Sequence, residues 1–406
     1  MDFFRDPYTF IARWFQDFLT GLGLAPEGVH FISLLTGAFI LATGAMVLVV
    51  MLIWIERKIV GRIQDRFGPN RVGPWGIFQS FADLIKIFTK ELITPTGTDW
   101  LPYNLAPVLA VAAVLIVWAI LPFTVTFYGV NLSVGILLIV ALGAVGEMGV
   151  ILAGWGSNNK YALLAAFRAV AQLISYGVPL IVTMLIPVMF SGSMALNDIV
   201  AAQDVWYILL APLAALVFFI THLAEIGRAP FDLVEAESEL VSGFNIEYSG
   251  LKFGMFYVAD FLHALTVSLI FATLFLGGWR GPGAVEFPVL GILYYTLKTS
   301  AVYFLIILLR ASLPRFRIDQ MMALNWKLLT PLSLSLLILT ALAYRLVFIQ
   351  PLIVRVIALL VVNGFVFGVL TIILARIEKR NPRRPVVTKP RPVARTESVP
   401  SNTPME

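Results

Sequence analysis

Long apolar runs, separated by short clusters of charge, set the pattern of this chain. A hydrocarbon layer about 30 Å thick takes about 20 apolar residues of helix to cross. Stretches of that kind lie near residues 32–55, 105–123, 131–153, 161–190, 206–225, 250–277, 289–310, 327–346 and 351–375. They predict an all-α fold, a polytopic membrane helical bundle of about nine transmembrane helices. Only a short turn with Arg345, Gln350, Pro351 and Arg355 separates the last two. Residues 76–90 follow another rule. Gln79, Asp83, Lys86 and Lys90 recur at helical steps and make one polar stripe, and Ile77, Phe78, Phe81, Leu84, Ile85 and Phe88 cover the rest. That predicts an amphipathic helix lying in the membrane surface within the first loop. Gly-Pro-Asn at 68–70 and Gly-Pro at 73–74 predict a defined bend before it.

Composition narrows the class. Of 406 residues 59% are hydrophobic and 13% charged, with a mean hydropathy of +0.89; soluble domains run near ~25% charged. No cysteine is present, which excludes disulfides, cysteine-ligated zinc and any cysteine-held iron–sulfur cluster in this chain. His30, His222 and His263 do not fall at a metal-ligand spacing, so each reads as a structural histidine and no metal site is expected. Residues 1–31 mix Asp2, Arg5, Asp6, Arg13 and Asp17 with many aromatics, unlike the uninterrupted apolar core of a signal peptide; they predict an interfacial segment.

Basic residues orient the spans. One side collects Arg57, Lys58, Arg62, Arg66, Arg71, Lys86, Lys90, Lys160, Arg168, Arg228, Lys252, Arg310, Arg315, Arg317 and Lys327; the other has Arg5, Arg13, Arg280, Arg345 and Arg355. The positive-inside rule puts the first side in the cytoplasm and the N-terminus outside. With nine spans the tail is cytoplasmic as well. The expected division is an N-terminal segment 1–31, a main membrane domain 32–346, an additional helix 351–375 and a disordered basic tail 376–406. Gly364 and Gly368 form a G-x-x-x-G pair that reads as helix packing.

The candidate chemistry is acidic. Between Glu225 and Glu247 the chain carries Glu225, Asp232, Glu235, Glu237, Glu239 and Glu247 against one cation, Arg228. Charge so near a bilayer points to a proton path or a docking surface. Glu147, Asp260, His263 and Lys298 fall inside predicted spans, where a charge costs ~2.5–3.5 kcal/mol at mid-depth. Glu147 reads as a proton relay, and a Glu–Lys pair in low dielectric would couple its two titrations. The bent loop and the surface helix together predict a roof over a cavity that opens to lipid and to a soluble partner. An apolar tail would enter from the bilayer while a polar head meets Asp83 and Arg66; a quinone is such a molecule.

Several long runs, in order, then carry a resemblance: Glu56-Arg57-Lys58, Gln64-Asp65-Arg66-Phe67-Gly68-Pro69-Asn70, Gly73-Pro74, Ala82-Asp83, Ser157-Asn158, Lys160-Tyr161-Ala162-Leu163-Leu164, Arg228-Ala229-Pro230-Phe231-Asp232-Leu233, Glu237-Ser238-Glu239-Leu240 and Pro314-Arg315-Phe316-Arg317. Over roughly residues 30–345 the chain resembles the H (ND1-type) membrane subunits of respiratory complex I, the proton-pumping NADH–quinone oxidoreductase. The resemblance implies a subunit at the heel of an L-shaped enzyme in the inner or plasma membrane. It implies partners too: peripheral-arm iron–sulfur and quinone-site subunits, neighbouring membrane-arm subunits, quinone and the lipid bilayer, with no nucleic acid. Quinone is then the substrate, nothing is bound covalently, and FMN and the iron–sulfur clusters sit in partner subunits. By motif, Arg57, Arg66, Asp83, Lys86 and Arg228 would face the quinone tunnel. Glu147, Glu225, Asp232, Glu235, Glu237, Glu239 and Glu247 would form the proton path. Asp260, Lys298, Arg310, Arg315 and Arg317 would hold partner loops or supply structural charge.

Three departures stand out. Gly177 follows Ile174-Ser175-Tyr176 where the family usually has Glu, so one carboxylate of the usual path is missing or replaced, with water or Glu147 as candidates. Asp260 stands where Glu is usual. The ninth span and basic tail exceed the usual eight-span pattern. Gly154 and Gly156 give only G-x-G, with Asn159 at the third position and a span end as the setting, so NADH is expected to react in a partner. Two other readings stay open. A related membrane-bound hydrogenase, or a complex fed by another donor, would share the acidic loop, but the intact first-loop motif favours a quinone user. A stand-alone transporter would call for internal repeats and paired broken helices, and neither is clear.

Overall fold

The computed structural model describes residues 6–234 and 237–380. All regular structure among the described residues is helical: α1 Pro7–Gly21, α2 Pro26–Ile63, α3 Gln79–Thr89, α4 Trp100–Trp118, α5 Gly135–Gly156, α6 Lys160–Ser191, α7 Leu196–Ala202, α8 Tyr207–Leu210, α9 Pro212–Ile226, α10 Glu237–Leu240, α11 Gly250–Phe275, α12 Pro288–Ser312, α13 Ile318–Val347 with a π-helical turn at Asn325–Leu329, and α14 Leu352–Arg380. Eight of these, α2, α4, α5, α6, α11, α12, α13 and α14, are long and apolar enough to cross a membrane, so the chain is a multi-pass membrane protein. It divides into residues 1–366 and 367–406; the described part of the second unit, 367–380, is the C-terminal part of α14.

The stretch expected to form one span at 206–225 is not one helix. It breaks at Ala211 (φ −138°, ψ 66°) into the four-residue α8 and the 15-residue α9. Pro212 has no N–H to continue the ladder, and it pushes the residue before it out of the helical region. Fifteen residues rise only ~22 Å, short of the hydrocarbon layer. Most of α9 is buried, and a helix shielded by protein need not match lipid thickness. The carbonyl freed at Leu210 accepts a hydrogen bond from Asn363 Nδ2 of α14 at 3.3 Å; Asn363 is itself buried.

The surface helix forms as α3. It starts at Gln79 rather than 76, because Trp75 and Gly76 lie at positive φ (53° and 75°) in a tight turn over Pro74–Gly76. Its stripe is held by Gln79 Nε2 donating to Asp83 Oδ1 (3.3 Å), while Ile85 and Phe88 stay exposed. The preceding helix, α2, has 38 residues and rises ~57 Å. Its last turns therefore extend past the bilayer core and deliver Glu56 and Arg57 to the same end of the bundle as α3.

Helix α11 is central: 78% of its apolar window is buried, against 22% for α2 and for α5. At its N-terminal end the acidic segment is fastened to α4. The rings of Tyr248 and Tyr103 stack at 4.3 Å, Tyr248 Oη donates to the Tyr103 carbonyl (3.0 Å), and Tyr103 Oη donates to the Glu247 carbonyl (2.9 Å). Phe244 and Tyr248 both meet Phe256 of α11 edge-on. Burial, helped by the neighbouring Tyr103, pushes the Tyr248 phenol up, so it stays a neutral donor.

Candidate functional site

A cavity of about 170 Å³ lies among α4, α5, α6, α9, α11 and the end of α12. It has room for several waters. Four of the predicted acids border it: Glu147 from α5, Glu225 from α9, Asp232 from the loop after α9, and Asp260 from α11. Arg228 and Arg310 close the end next to α2.

That closure is built on Glu56. Its side chain is 6% exposed, and it takes Arg228 Nη1 on Oε2 at 2.9 Å and Arg310 Nη1 on Oε1. Tyr303 Oη donates to the same carboxylate at 3.4 Å. Gly227, in the left-handed region at φ 68°, ends α9 and turns the chain so that Arg228 leaves the helix axis. The Arg228 guanidinium also lies over the Phe261 ring at 4.6 Å. Burial alone would lower the Arg228 pKa; the Glu56 carboxylate outweighs it and pushes the group up, so the guanidinium stays charged. Glu56 stands at the end of an apolar run, where the cost of intramembrane charge flags a residue, yet its basic neighbours in Glu56-Arg57-Lys58 conceal it as ordinary loop charge.

Inside the cavity Glu225 has two histidine neighbours. His222 Nε2 is 3.5 Å from Oε2, and His263 Nε2 is 3.9 Å from Oε1. By sequence both histidines read as structural; the fold turns both toward a carboxylate. They come from α9 and α11, so no sequence spacing links them. No group of three or more metal-ligating side chains occurs among the described residues. Glu147 accepts from Tyr176 Oη at 3.4 Å. Gly177, next to Tyr176, has open space where a side chain would begin. Gln172 Nε2 ties α6 to both ends of the loop, donating to the carbonyls of Ala224 (2.6 Å) and Phe231 (3.2 Å).

Most of the other predicted residues that the structure describes find partners away from the cavity. Asp83 pairs with Arg57 at 2.5 Å and with Lys86 at 3.9 Å, whereas Arg66 is exposed and donates to Gln64 Oε1 at 2.8 Å. Asp232, at the cavity edge, is ion-paired with Arg315; farther out, Glu239 pairs with Arg168 (2.6 Å), and Glu247 accepts from Asn159 Nδ2 (2.6 Å). Arg317 is exposed at the start of α13, where its N–H donates to Gln320 Oε1. Glu235 lies outside the described residues, and of Glu237 the structure describes only its place in α10. Lys298 makes no ion pair with Glu147. Its ammonium donates to the carbonyls of Gly278 (2.9 Å) and Arg280 (2.8 Å) and lies 5.3 Å from the Trp206 ring centre. A long stem on α12 reaches the polar turn after α11, which is how lysine avoids an apolar interior.

The arrangement brings titratable groups along one cavity roomy enough for water and closes it with a fixed ion-pair clamp. Such a site can bind and pass protons or stabilise a polar head. Residues 36–341 match the family model described as NADH dehydrogenase. The H subunit of NADH-quinone oxidoreductase from Dehalococcoides mccartyi (strain CBDB1) is 48% identical over 310 residues, covering 76% of this chain and 86% of the relative. The corresponding proteins from Geobacillus sp. (strain WCH70) and Geobacter metallireducens, also named as H subunits of NADH-quinone oxidoreductase, are each 45% identical, over 72% and 73% of this chain and 88% and 91% of those relatives. The chain therefore belongs to the NADH dehydrogenase family, among the relatives of the H subunits of NADH-quinone oxidoreductase.

Proposed function

We propose that this chain is the quinone-site membrane subunit of a proton-translocating NADH–quinone oxidoreductase in the cell's inner or plasma membrane, with its basic loops cytoplasmic. The observation that carries the reading is the cavity in which Glu147, Glu225, Asp232 and Asp260 meet the Glu56–Arg228–Arg310 clamp. Carboxylates beside water can take up and release protons, and the clamp fixes where positive charge stands when they do. The Arg57–Asp83 pair on α2 and α3 offers a polar contact to a quinone head arriving from lipid. On this reading Arg66 and Lys86 shape the loop, and Asp232, Glu235, Glu237, Glu239 and Glu247 carry protons between the cavity and the partner-facing surface. Lys298 serves as structural charge, and Arg315 and Arg317 steady the loops where peripheral-arm subunits bind. FMN and iron–sulfur clusters belong to those partners.

The test is a mild-detergent pull-down of the tagged chain from its own membranes, assayed for flavin, iron–sulfur signals and inhibitor-sensitive NADH–quinone reductase. All three are expected to co-purify. Iron–sulfur signals without NADH activity would replace the donor, and recovery of the chain alone would overturn the reading.

A further inference from the structure

We propose that Gly143, His222 and His263 hold the Glu225 carboxylate as one proton-transfer station. The inference rests on the proton-path reading above and extends it to three residues that the acidic pattern does not contain.

The geometry begins with Gly143 of α5. A Cβ built there would stand 2.9 Å from Glu225 Oε1, so the carboxylate occupies space that only glycine leaves open. Thus seated, it faces His222 Nε2 at 3.5 Å and His263 Nε2 at 3.9 Å. Both distances are a small side-chain motion from hydrogen bonding. The His222 tautomer is dictated by its other nitrogen. Nδ1 lies 3.2 Å from the Phe218 carbonyl, which can only accept, so Nδ1 carries the hydrogen and Nε2 presents a lone pair to Glu225. His222 is 1% exposed and its ring packs on Phe218, with centroids 3.9 Å apart, so it has little freedom to turn away. His263, by contrast, is partly open; both rings border the cavity that also holds Glu147, Asp260 and Arg228.

A proton on Glu225 moves to the free Nε2 of His222, or to Nε2 of His263 in its Nδ1–H tautomer, leaving carboxylate and imidazolium. Its return, or its departure through cavity water, restores the starting forms, so nothing but the proton changes place. His263 is the more exposed of the two and His222 the fixed acceptor.

The test uses the assembled enzyme in membrane vesicles, reading NADH–quinone turnover and proton pumping, with NADH oxidation by a soluble acceptor as the assembly control. His222→Asn keeps a donor for the Phe218 carbonyl and removes the Nε2 acceptor; His263→Gln keeps a polar tip that cannot take a proton. Gly143→Ala displaces a flexible carboxylate end rather than backbone. Each is expected to lower pumping and turnover together about a hundredfold, at the low end of proton-transfer effects, and to raise the solvent deuterium isotope effect on turnover. Gly143→Ala combined with His222→Asn is expected to be no worse than the poorer single variant, because both disable one station. Wild-type turnover, pumping and isotope effect in His222→Asn and His263→Gln, while Glu225→Gln is impaired, would overturn the station and leave the proton-path reading standing. A fully active Glu225→Gln would overturn that reading as well.

Discussion

Replacing Glu56 by Gln tests how the cavity is closed. Glu56 holds two arginines of different exposure, with Arg228 at 8% and Arg310 at 41%. Removing one member of a buried pair leaves an uncompensated charge and costs about 3–5 kcal/mol. Gln retains one acceptor oxygen, which brings the expected loss toward about 3 kcal/mol. Nearly all of it belongs to Arg228. Water already solvates Arg310, so its share is discounted to about 0–1 kcal/mol. Each 1.4 kcal/mol is about tenfold in a rate. Glu56→Gln and Arg228→Gln are therefore expected to speed thermal loss of quinone reductase activity in the assembled enzyme by tenfold or more, their double variant adding little. Arg310→Gln should speed it by no more than about fivefold. The assay follows inactivation at fixed temperature and normalises to NADH oxidation by a soluble acceptor, which reports an intact peripheral arm. An Arg310 variant as labile as the Arg228 variant, or a double variant showing the product of the two single effects, would refute the clamp.

Three further outcomes are expected. Asp83→Asn should lower quinone reduction while soluble-acceptor oxidation survives, since Asp83 is the ion-pair partner of Arg57; equal loss of both would mean failed assembly. Glu239→Gln should lower pumping and quinone turnover together with little change in thermal stability, because its pair with Arg168 is half exposed on the Glu239 side and worth about 0–1 kcal/mol; normal pumping would make the cluster an assembly surface. Asn363→Leu removes the donor to the carbonyl freed at Leu210, costing about 1–3 kcal/mol, and should leave α14 more open to limited proteolysis in detergent; unchanged cleavage would show that apolar packing alone holds it.

How much of the site was legible depended on whether a residue's surroundings are local. Asp83 was readable because its stripe partners Gln79 and Lys86 recur at helical steps. Glu147, Asp260, Glu225 and Asp232, the acids that border the cavity, could be singled out because charge within or beside an apolar run has few bland explanations. Glu56 satisfied the same criterion but stood beside Arg57 and Lys58. Lys298 looked like a partner for a buried acid, yet a four-carbon stem can reach a turn 18 to 20 residues away in the chain. His263 stood out only by lying inside a span, and His222 only by its helical i,i+3 step to Glu225; a histidine's role depends on what faces it, and that both face Glu225 was not readable from the chain.

Apolar run length and helical period alone determined that this is a membrane-embedded helical protein with a surface helix in its first loop, because both depend on residues near in sequence. The ordered motifs determined the family. The break before Pro212 is local chemistry too, but whether a helix so shortened could stand was decided by the protein packed around it. Only tertiary structure joined Glu56 to Arg228 and Arg310 across 172 and 254 residues, and only it opened space at Gly143 for a carboxylate from another helix. A buried charge selects its partners by where helices cross, and crossing is set by packing over the whole bundle rather than by any segment of the chain.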